Sequence, residues 1–167
     1  MEWRGRPRIG VMGPSECKAE VSRLGYEVGC YIARAGGILI CGGLGGIMEA
    51  AARGAKESGG LTVGILPGSC AAEANPYIDI PIVTGMGNAR NAINVLSSQA
   101  VIAIHGSYGT LSEIALALKC GVPVIGLETW GLSAPGQREE TTSIVASTPE
   151  EAVALALEKI PKPARRR

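Results

Sequence analysis

Three glycine-rich segments contain the residues whose types and spacing can bind an anion. They are residues 13–15 (GPS), 42–46 (GGLGG) and 106–110 (GSYGT). Glycine lets the backbone approach a ligand closely, and a helix that begins there adds free N–H groups and the positive end of its dipole. Each loop alone is more often a tight turn, but three at one edge favour a phosphate site. The candidate contacts are Gly13, Ser15, Gly42, Gly43, Gly46, Gly106, Ser107, Gly109 and Thr110.

These loops match neither of the common nucleotide fingerprints. No stretch is a full G-x-G-x-x-G with an acid about 20 residues further on, and no G-x-x-x-x-G-K-[ST] occurs. The sequence therefore predicts an anion site without the usual dinucleotide motif or P-loop.

Two charged residues are candidates for chemistry beside these loops. Arg90 lies in the first turn of a predicted helix with Asn88 as N-cap, where a cation opposes the helix dipole. It either clamps a ligand anion or is a surface arginine paired with an acid. Glu113 completes a capping box with Thr110, and it is either purely structural or a general acid or base.

Other candidate side chains have a structural and a functional interpretation. His105 ends a predicted strand and is either a loop histidine or a ligand contact and proton carrier. Trp130 either stacks on a ring, or it simply packs or sits at a subunit interface. Cys41 and Cys120 are expected to be inert small hydrophobes. With one histidine, one aspartate and five cysteines that form no C-x-x-C pair, no metal site is expected, and the thiols fit a reduced, cytosolic protein.

The elements that must position these residues alternate along the chain. Predicted strands cover residues 8–12, 38–41, 61–66, 78–83, 100–104, 123–127 and 143–146. Predicted helices begin after an N-cap at Ser15, at about Ile47, after Asn88, at Leu111 and after the capping box 148–151. This alternation predicts an α/β fold with a mostly parallel sheet of about seven strands and helices on both faces. Ligands of such sheets bind beyond the carboxyl ends of the strands, where the glycine loops fall.

Length and charge narrow the class of protein. The 167 residues predict a single domain over 1–160, followed by a basic disordered tail over 161–167. Half of the 16 basic residues lie at the two ends, whereas 14 of the 15 acids lie between positions 9 and 158. An acidic body is a poor nucleic-acid footprint. No apolar run reaches 18 residues and the N-terminus lacks a signal-peptide core, so we expect a cytoplasmic protein without a membrane partner.

Two motifs at matching spacing resemble a known superfamily. Residues 42–48 (GGLGGIM) resemble the GG-x-x-G-[LI]-M element of the LOG (LONELY GUY) family, often mislabelled lysine decarboxylase. Residues 105–113 (HGSYGTLSE) resemble its P-G-G-x-G-T-x-x-E motif, with Arg90 twenty residues before Thr110 as in the family. Residues 74–77, 84–91 and 109–118 look closer to the branch that holds the molybdenum cofactor carrier protein and uncharacterised bacterial relatives. The resemblance covers about residues 7–158.

The resemblance implies a Rossmann-like three-layer sandwich, a homodimer or homotetramer, and a phosphate-bearing ligand. In LOG enzymes the motif Arg and Glu support hydrolysis of the N-glycosidic bond of nucleoside 5′-monophosphates. Carried over, Arg90 orients the sugar-phosphate, Glu113 assists departure of the base, and residues 106, 107, 109 and 110 hold the phosphate. Met86 and His105 join the candidate contacts.

Three departures from the LOG pattern favour the carrier branch. His105 stands where LOG enzymes have Pro, Ser107 replaces a Gly, and Asn91 stands where they have Lys. The expected function is therefore binding of a phosphate-bearing molecule, with the molybdenum cofactor as the implied candidate. The alternative is a LOG-like phosphoribohydrolase acting on a nucleoside monophosphate; lysine decarboxylase activity is not expected, and no cofactor is needed for folding. A DNA-processing role, implied only by distant resemblance in fold, conflicts with the acidic body.

Overall fold

A single all-parallel sheet forms the centre of the molecule. The computed structural model describes residues 5–132 and 144–161. Over these ranges the strands are β1 (Arg8–Met12), β2 (Ile38–Cys41), β3 (Leu61–Leu66), β4 (Ile80–Val83), β5 (Ala100–Ile104), β6 (Val124–Leu127) and β7 (Ile144–Ala146). Their order is β4-β3-β2-β1-β5-β6-β7, and every neighbouring pair is parallel. The predicted fold class is confirmed.

The strand order reverses between β1 and β5. From β1 the chain builds outward through β2 and β3 to β4, and then it returns to place β5 on the other side of β1. The switch in strand order therefore lies between the loops that leave β1 and β5 at the carboxyl edge. In open parallel sheets this switch point is where ligands bind.

Five helices cover the sheet unequally. They are α1 (Ala19–Arg34), α2 (Ile47–Glu57), α3 (Asn91–Ser97), α4 (Tyr108–Lys119) and α5 (Pro149–Lys159), with 3₁₀ turns at Ala71–Glu73 and Gly87–Arg90. Helices α1, α2 and α5 pack together over one face, where the larger core cluster lies. Helices α3 and α4 cover the other face beside a smaller cluster around Met12, Val101 and Ile114.

Three predicted helix starts are wrong. Ser15 is exposed and does not cap α1, which begins at Ala19 with Lys18 at the N-cap position. The turn at Asn88 is 3₁₀, and α3 follows it. Helix α4 begins three residues before Leu111, so Thr110 lies inside it and caps nothing. Favourable capping residues therefore do not fix the starts of these three helices.

The other sequence predictions divide into those confirmed and those outside the described residues. Helix α5 begins as predicted, because the Thr148 hydroxyl accepts from the Glu151 N–H at 3.1 Å and the Glu151 carboxylate accepts from the Ser147 N–H at 2.7 Å. The tail from 162 onward, residues 133–142 of the predicted polar loop and position 143 of the last strand lie outside the described residues.

One half of the second face carries no helix. Beside α3, strands β2, β3 and β4 line a groove of about 660 Å³. Its walls include Ile80 and Ile82, which are 45% and 41% exposed, and Leu96, which is 66% exposed. Parallel sheets are normally covered on both faces. This part of the sheet is therefore an apolar surface that the described chain leaves bare.

Helices α1 and α2 approach each other through glycine. A Cβ at Gly29 would overlap the backbone carbonyl of Ala51, and a Cβ at Gly54 would overlap that of Tyr26. Gly54 thus allows α2 to pack closely on α1, and Ile47 and Ala51 of α2 reach the core cluster.

We expect Gly54→Ala to destabilise the protein by about 1–3 kcal/mol, because the added methyl overpacks two backbones that cannot move independently. Thermal unfolding measures this as a fall of about 2–4 °C per kcal/mol for a chain of this size. Gly109→Ala is the matched control. It is also a helical glycine, but its nearest neighbour would be the Ser107 hydroxyl at 3.9 Å. An unchanged midpoint for Gly54→Ala would contradict the close contact.

Candidate functional site

A buried arginine lies at the carboxyl edge of the sheet. Arg90 ends the 3₁₀ turn before α3 and is only 8% exposed. Its Nη1 donates to Asn91 Oδ1 at 2.6 Å and lies 3.6 Å from Glu113 Oε1. Its Nε is buried and has no hydrogen-bond partner among the described residues. Burial lowers the pKa of the guanidinium, although Glu113 opposes that shift.

Glu113 is the buried partner of this arginine. It projects from α4, is 6% exposed, and its Oε1 accepts from Asn94 Nδ2 at 2.9 Å. Burial raises the pKa of the Glu113 carboxyl, while the Asn94 hydrogen bond and the Arg90 charge act in the opposite direction. Removing two charges from water costs more than a loose pair returns. The arrangement therefore keeps a cation and an acid poised at the site at a cost in stability.

The absence of a side chain at Gly42 makes room for the guanidinium. A Cβ at this position would lie 2.5 Å from Arg90 Nη2 and 2.7 Å from Met48 Sδ. Gly42 directly follows β2, so the exit of that strand forms one wall around Arg90. Gly42 therefore leaves the space that the Arg90 guanidinium occupies.

Cys41 is a neutral thiol just behind this wall. It is fully buried, its Sγ accepts from the Gly43 N–H at 3.4 Å, and burial raises its pKa to about 12. A thiol of that pKa is protonated at neutral pH, so it is a poor nucleophile. The structure agrees with the prediction that Cys41 is an inert hydrophobe.

The loops after β1 and β2 form one packed unit. Gly46 has a φ of 62° and precedes α2, and a Cβ there would overlap the Pro14 carbonyl. That carbonyl accepts from the Ile47 N–H at 3.0 Å. Gly13 has its own contact with this unit, because a Cβ there would lie 2.7 Å from the Ile47 side chain. Glycine is needed at both positions for the two loops to touch.

Asn75 fixes the same unit from the other side. Its backbone N–H donates to the Gly43 carbonyl at 2.9 Å, and its Nδ2 donates to the Leu44 carbonyl at 2.9 Å. The side chain is 9% exposed. Sequence reasoning noted the segment 74–77 only as part of a resemblance, because nothing local shows that Asn75 reaches a loop 31 residues earlier.

The third glycine loop leads into the N-terminus of α4. Ser107 stands at the N-cap position, and its side chain makes no capping hydrogen bond to the described residues of α4. Thr110, in the first turn, is 2% exposed, and its hydroxyl has no hydrogen-bond partner among the described residues. Gly106 has a φ of 143°, and a Cβ there would lie 2.9 Å from Thr110 Cβ. Free donors therefore collect at this helix end, as an anion site requires.

The structure brings together part of the predicted set. Arg90, Glu113 and Gly42 are in contact, and Thr110 lies one turn before Glu113 on α4. Ser15, Met86 and Gly109 are exposed, and no hydrogen bond or ion pair among the described residues joins them to Arg90 or Glu113. Ser15 lies against Gly45 and Gly46. His105 has its own partner, with Nε2 lying 3.1 Å from Glu128 Oε2.

Two buried asparagines complete the site and were not predicted as site residues. Asn91 links Arg90 to α4, because its Nδ2 donates to Ser112 Oγ at 2.9 Å. Asn94 holds Glu113 while its own Oδ1 has no partner among the described residues. The signal that could have found them is their polarity inside the apolar pattern of residues 91–97, where buried amides need partners. From the sequence alone, Asn91 stands out only because it replaces the lysine of LOG enzymes.

The described residues contain neither a metal-binding cluster nor a membrane-spanning helix. Within 5–132 and 144–161, no group of three or more His, Cys, Asp and Glu side chains is arranged to hold a metal ion. Over the same residues, no helix has both the length and the apolarity needed to cross a bilayer.

Relatives of known sequence include a protein with a described activity. An uncharacterized protein of Archaeoglobus fulgidus is 51% identical over 149 residues, covering 87% of this chain and 91% of the relative. A cytokinin riboside 5′-monophosphate phosphoribohydrolase of Mycobacterium tuberculosis is 35% identical over 127 residues, covering 70% of this chain and 67% of that enzyme.

Solved structures include molybdenum cofactor proteins. The molybdenum cofactor binding protein of Rippkaea orientalis is 42% identical with a TM-score of 0.85, covering 95% of this chain and 99% of that one. The molybdenum cofactor carrier protein of Chlamydomonas reinhardtii is 38% identical with a TM-score of 0.81, covering 94% and 100%. DNA processing protein A of Streptococcus pneumoniae, 18% identical with a TM-score of 0.69 over 89% of this chain and 61% of that one, shares the fold alone.

These similarities confirm the resemblance to the LOG superfamily that the sequence motifs indicated. The strand exits that carry the glycine loops, Arg90 and Glu113 all lie within the residues that match one family model. That model is the SLOG cluster4 family and it matches residues 6–154. The chain belongs to the SLOG cluster4 family.

Proposed function

We propose that this protein binds a phosphate-bearing small molecule at the carboxyl edge of the sheet and carries the molybdenum cofactor as cargo. The observation that carries the proposal is the set of unpaired donors at that edge. Arg90 Nε and the Thr110 hydroxyl are buried without partners among the described residues, beside an α4 N-terminus that no side chain caps. Buried donors are normally satisfied, so unsatisfied ones in one place indicate a missing acceptor.

A phosphate monoester supplies the acceptors that these donors lack. Its oxygens accept from the first backbone N–H groups of α4, from the Thr110 hydroxyl and from the Arg90 guanidinium. The helix dipole favours the charge, and arginine adds a charge-assisted hydrogen bond. The residues therefore fit the phosphate end of the cargo.

Carriage requires no bond to the protein. Cys41 is the cysteine nearest to Arg90 and is protonated, and the described residues hold no cluster of metal-binding side chains. The molybdenum would keep the ligands that its own cofactor provides. The similarity to molybdenum cofactor proteins at 42% and 38% identity supports this cargo over other phosphate esters.

Gly42→Ala tests the carrier function together with the site. The methyl displaces flexible side-chain ends, so we expect a folded protein whose Arg90 no longer faces the ligand. Losing a charged hydrogen bond of about 1.5–3 kcal/mol lowers affinity roughly 10- to 150-fold. Wild type and variant are incubated with cofactor released from a molybdoenzyme and desalted, and the retained molybdenum and pterin are measured.

Thermal unfolding of the Gly42→Ala variant provides the control for folding. Retention near one cofactor per site by the wild type, and its loss in a folded variant, support the proposal. A wild-type protein that retains no cofactor at micromolar concentration contradicts the carrier function, and equal retention by both proteins contradicts the role of Arg90.

The buried acid favours a second candidate function. Burial raises the pKa of Glu113, which favours the protonated form that a general acid needs, and Arg90 lies 3.6 Å away. In a phosphoribohydrolase, Glu113 would protonate the departing base as the N-glycosidic bond breaks. Water would then add to C1′ of the ribose and give its proton to the Glu113 carboxylate, which restores the acid. The 35% identity to the Mycobacterium tuberculosis enzyme supports this alternative.

Glu113→Gln tests the hydrolase by its pH dependence. The acid form is the active one, and its folded pKa lies above the ordinary 4.5. We expect the release of adenine from AMP to fall as pH rises through that raised pKa, and we expect the variant to release none. Chromatography of adenine and ribose 5-phosphate measures the rate, with ribose 5-phosphate binding as the control for an intact site. Base release that survives in the variant contradicts this mechanism.

We also propose that two copies of the chain associate through the bare half of the sheet. The two cations at the groove are directed to backbone carbonyls: Arg6 Nε donates to Gly36 at 2.7 Å, and Arg8 Nε donates to Ser97 at 3.1 Å. Their apolar stems therefore line the groove, and most of its other walls are aliphatic side chains of β2, β3 and β4. A mostly apolar surface of this kind suits burial against the same surface of a second copy, as in an isologous dimer.

Ile82→Glu is expected to prevent this association. A charge placed on β4 cannot be buried against a second apolar face. Light scattering should give a multiple of 17.2 kDa for the wild type and a single chain for the variant. Val145→Glu, on the exposed part of β7 at the opposite edge, is the matched control and should leave the mass unchanged. A wild-type mass of one chain at every concentration contradicts the dimer.

A further inference from the structure

Two aromatic side chains stand at the surface beside the proposed phosphate site. Tyr108 is 83% exposed and Trp130 is 38% exposed, although aromatic residues make up only 4% of the chain. Their ring centroids are 6.3 Å apart and their planes are inclined by 30°. Neighbouring exposed rings form a contiguous apolar patch, which is a feature of interaction sites.

The rings are adjacent to the donors of α4. Tyr108 is the first residue of that helix. Trp130 follows β6, and its Nε1 lies 3.1 Å from where a Cβ of Gly106 would stand. The same Cβ would lie 2.9 Å from Thr110, whose buried hydroxyl is unpaired among the described residues. The indole, the glycine loop and the unpaired hydroxyl are thus parts of one contact group.

The backbone on both sides of this group adopts an uncommon conformation. His105 and Glu128 each have a φ of 51°, in the left-handed region that residues other than glycine rarely adopt. They leave adjacent strands β5 and β6, and their side chains pair at 3.1 Å. The Thr129 hydroxyl donates to the His105 carbonyl, which joins the two exits a second time. The cross-links hold both exits in the conformation that leads one to Tyr108 and the other to Trp130.

We propose that Tyr108 and Trp130 form a stacking surface for a flat, fused heteroaromatic ring carried by the same ligand whose phosphate binds at α4. The inference rests on the proposed function, since the phosphate places the ring. Stacking uses the π-face of the ring and tolerates its substituents. Trp130 and Tyr108 thereby determine that the site prefers phosphate esters of a purine or a pterin to ring-free phosphate esters.

The experiment compares three probes on the whole protein. Ribose 5-phosphate has no aromatic ring, AMP has a purine, and 6-hydroxymethylpterin phosphate has a pterin. Affinities are measured by equilibrium dialysis, and chromatography verifies that each probe stays intact. Trp130→Leu and Tyr108→Leu remove the aromatic face and keep apolar bulk, whereas Trp130→Phe restores an aromatic face.

We expect each Leu variant to weaken both ring-bearing probes about tenfold or more and to change ribose 5-phosphate less than twofold. Trp130→Phe should recover most of the affinity. Equal weakening of all three probes would assign Trp130 a structural role, and unchanged ring affinity would show that the ring binds elsewhere; both overturn the stacking surface and leave the phosphate site standing. Binding of none of the probes by the wild type overturns the proposed function and the stacking surface together.

Discussion

Parallel strands that all point one way impose the constraint on which the site depends. Every strand exit lies at one edge, so residues far apart in the chain meet there without any local sequence signal. The reversal of strand order between β1 and β5 then opens that edge. Gly42 after β2, Arg90 before α3 and Glu113 on α4 come into contact only because of this arrangement.

Burial gives the charged pair its chemical character. At a surface, Arg90 and Glu113 would be an ordinary ion pair worth at most about 1 kcal/mol. In the interior, desolvation lowers the pKa of Arg90 and raises that of Glu113, so it favours the neutral form of each group. Asn91 and Asn94 supply hydrogen bonds that hold Arg90 and Glu113 in place. Under the proposed function, a bound anion would give Arg90 a second acceptor and would disfavour the charge on Glu113.

Much of the framework could be predicted from the sequence, whereas helix starts and tertiary contacts could not. The runs 38–41, 61–66 and 100–104 are strands at the predicted bounds, because continuous apolar residues bounded by polar or glycine loops have few other solutions. Ser15, Asn88 and Thr110 have good capping side chains, but each α-helix starts elsewhere, since a capping side chain is compatible with several starts. Arg90 was singled out for opposing a helix dipole; the structure instead buries it against Glu113. Asn75 and Asn94 act across long sequence separations, which no local pattern reports.

The bare half of the sheet has a consequence for folding as well as for assembly. A chain that leaves part of its core surface uncovered gains stability from whatever covers it, and mass action makes that gain depend on concentration. With a second copy as the cover, dilution would lower the thermal midpoint without altering a single contact inside the monomer. The protein concentration would then determine the stability of each copy's fold.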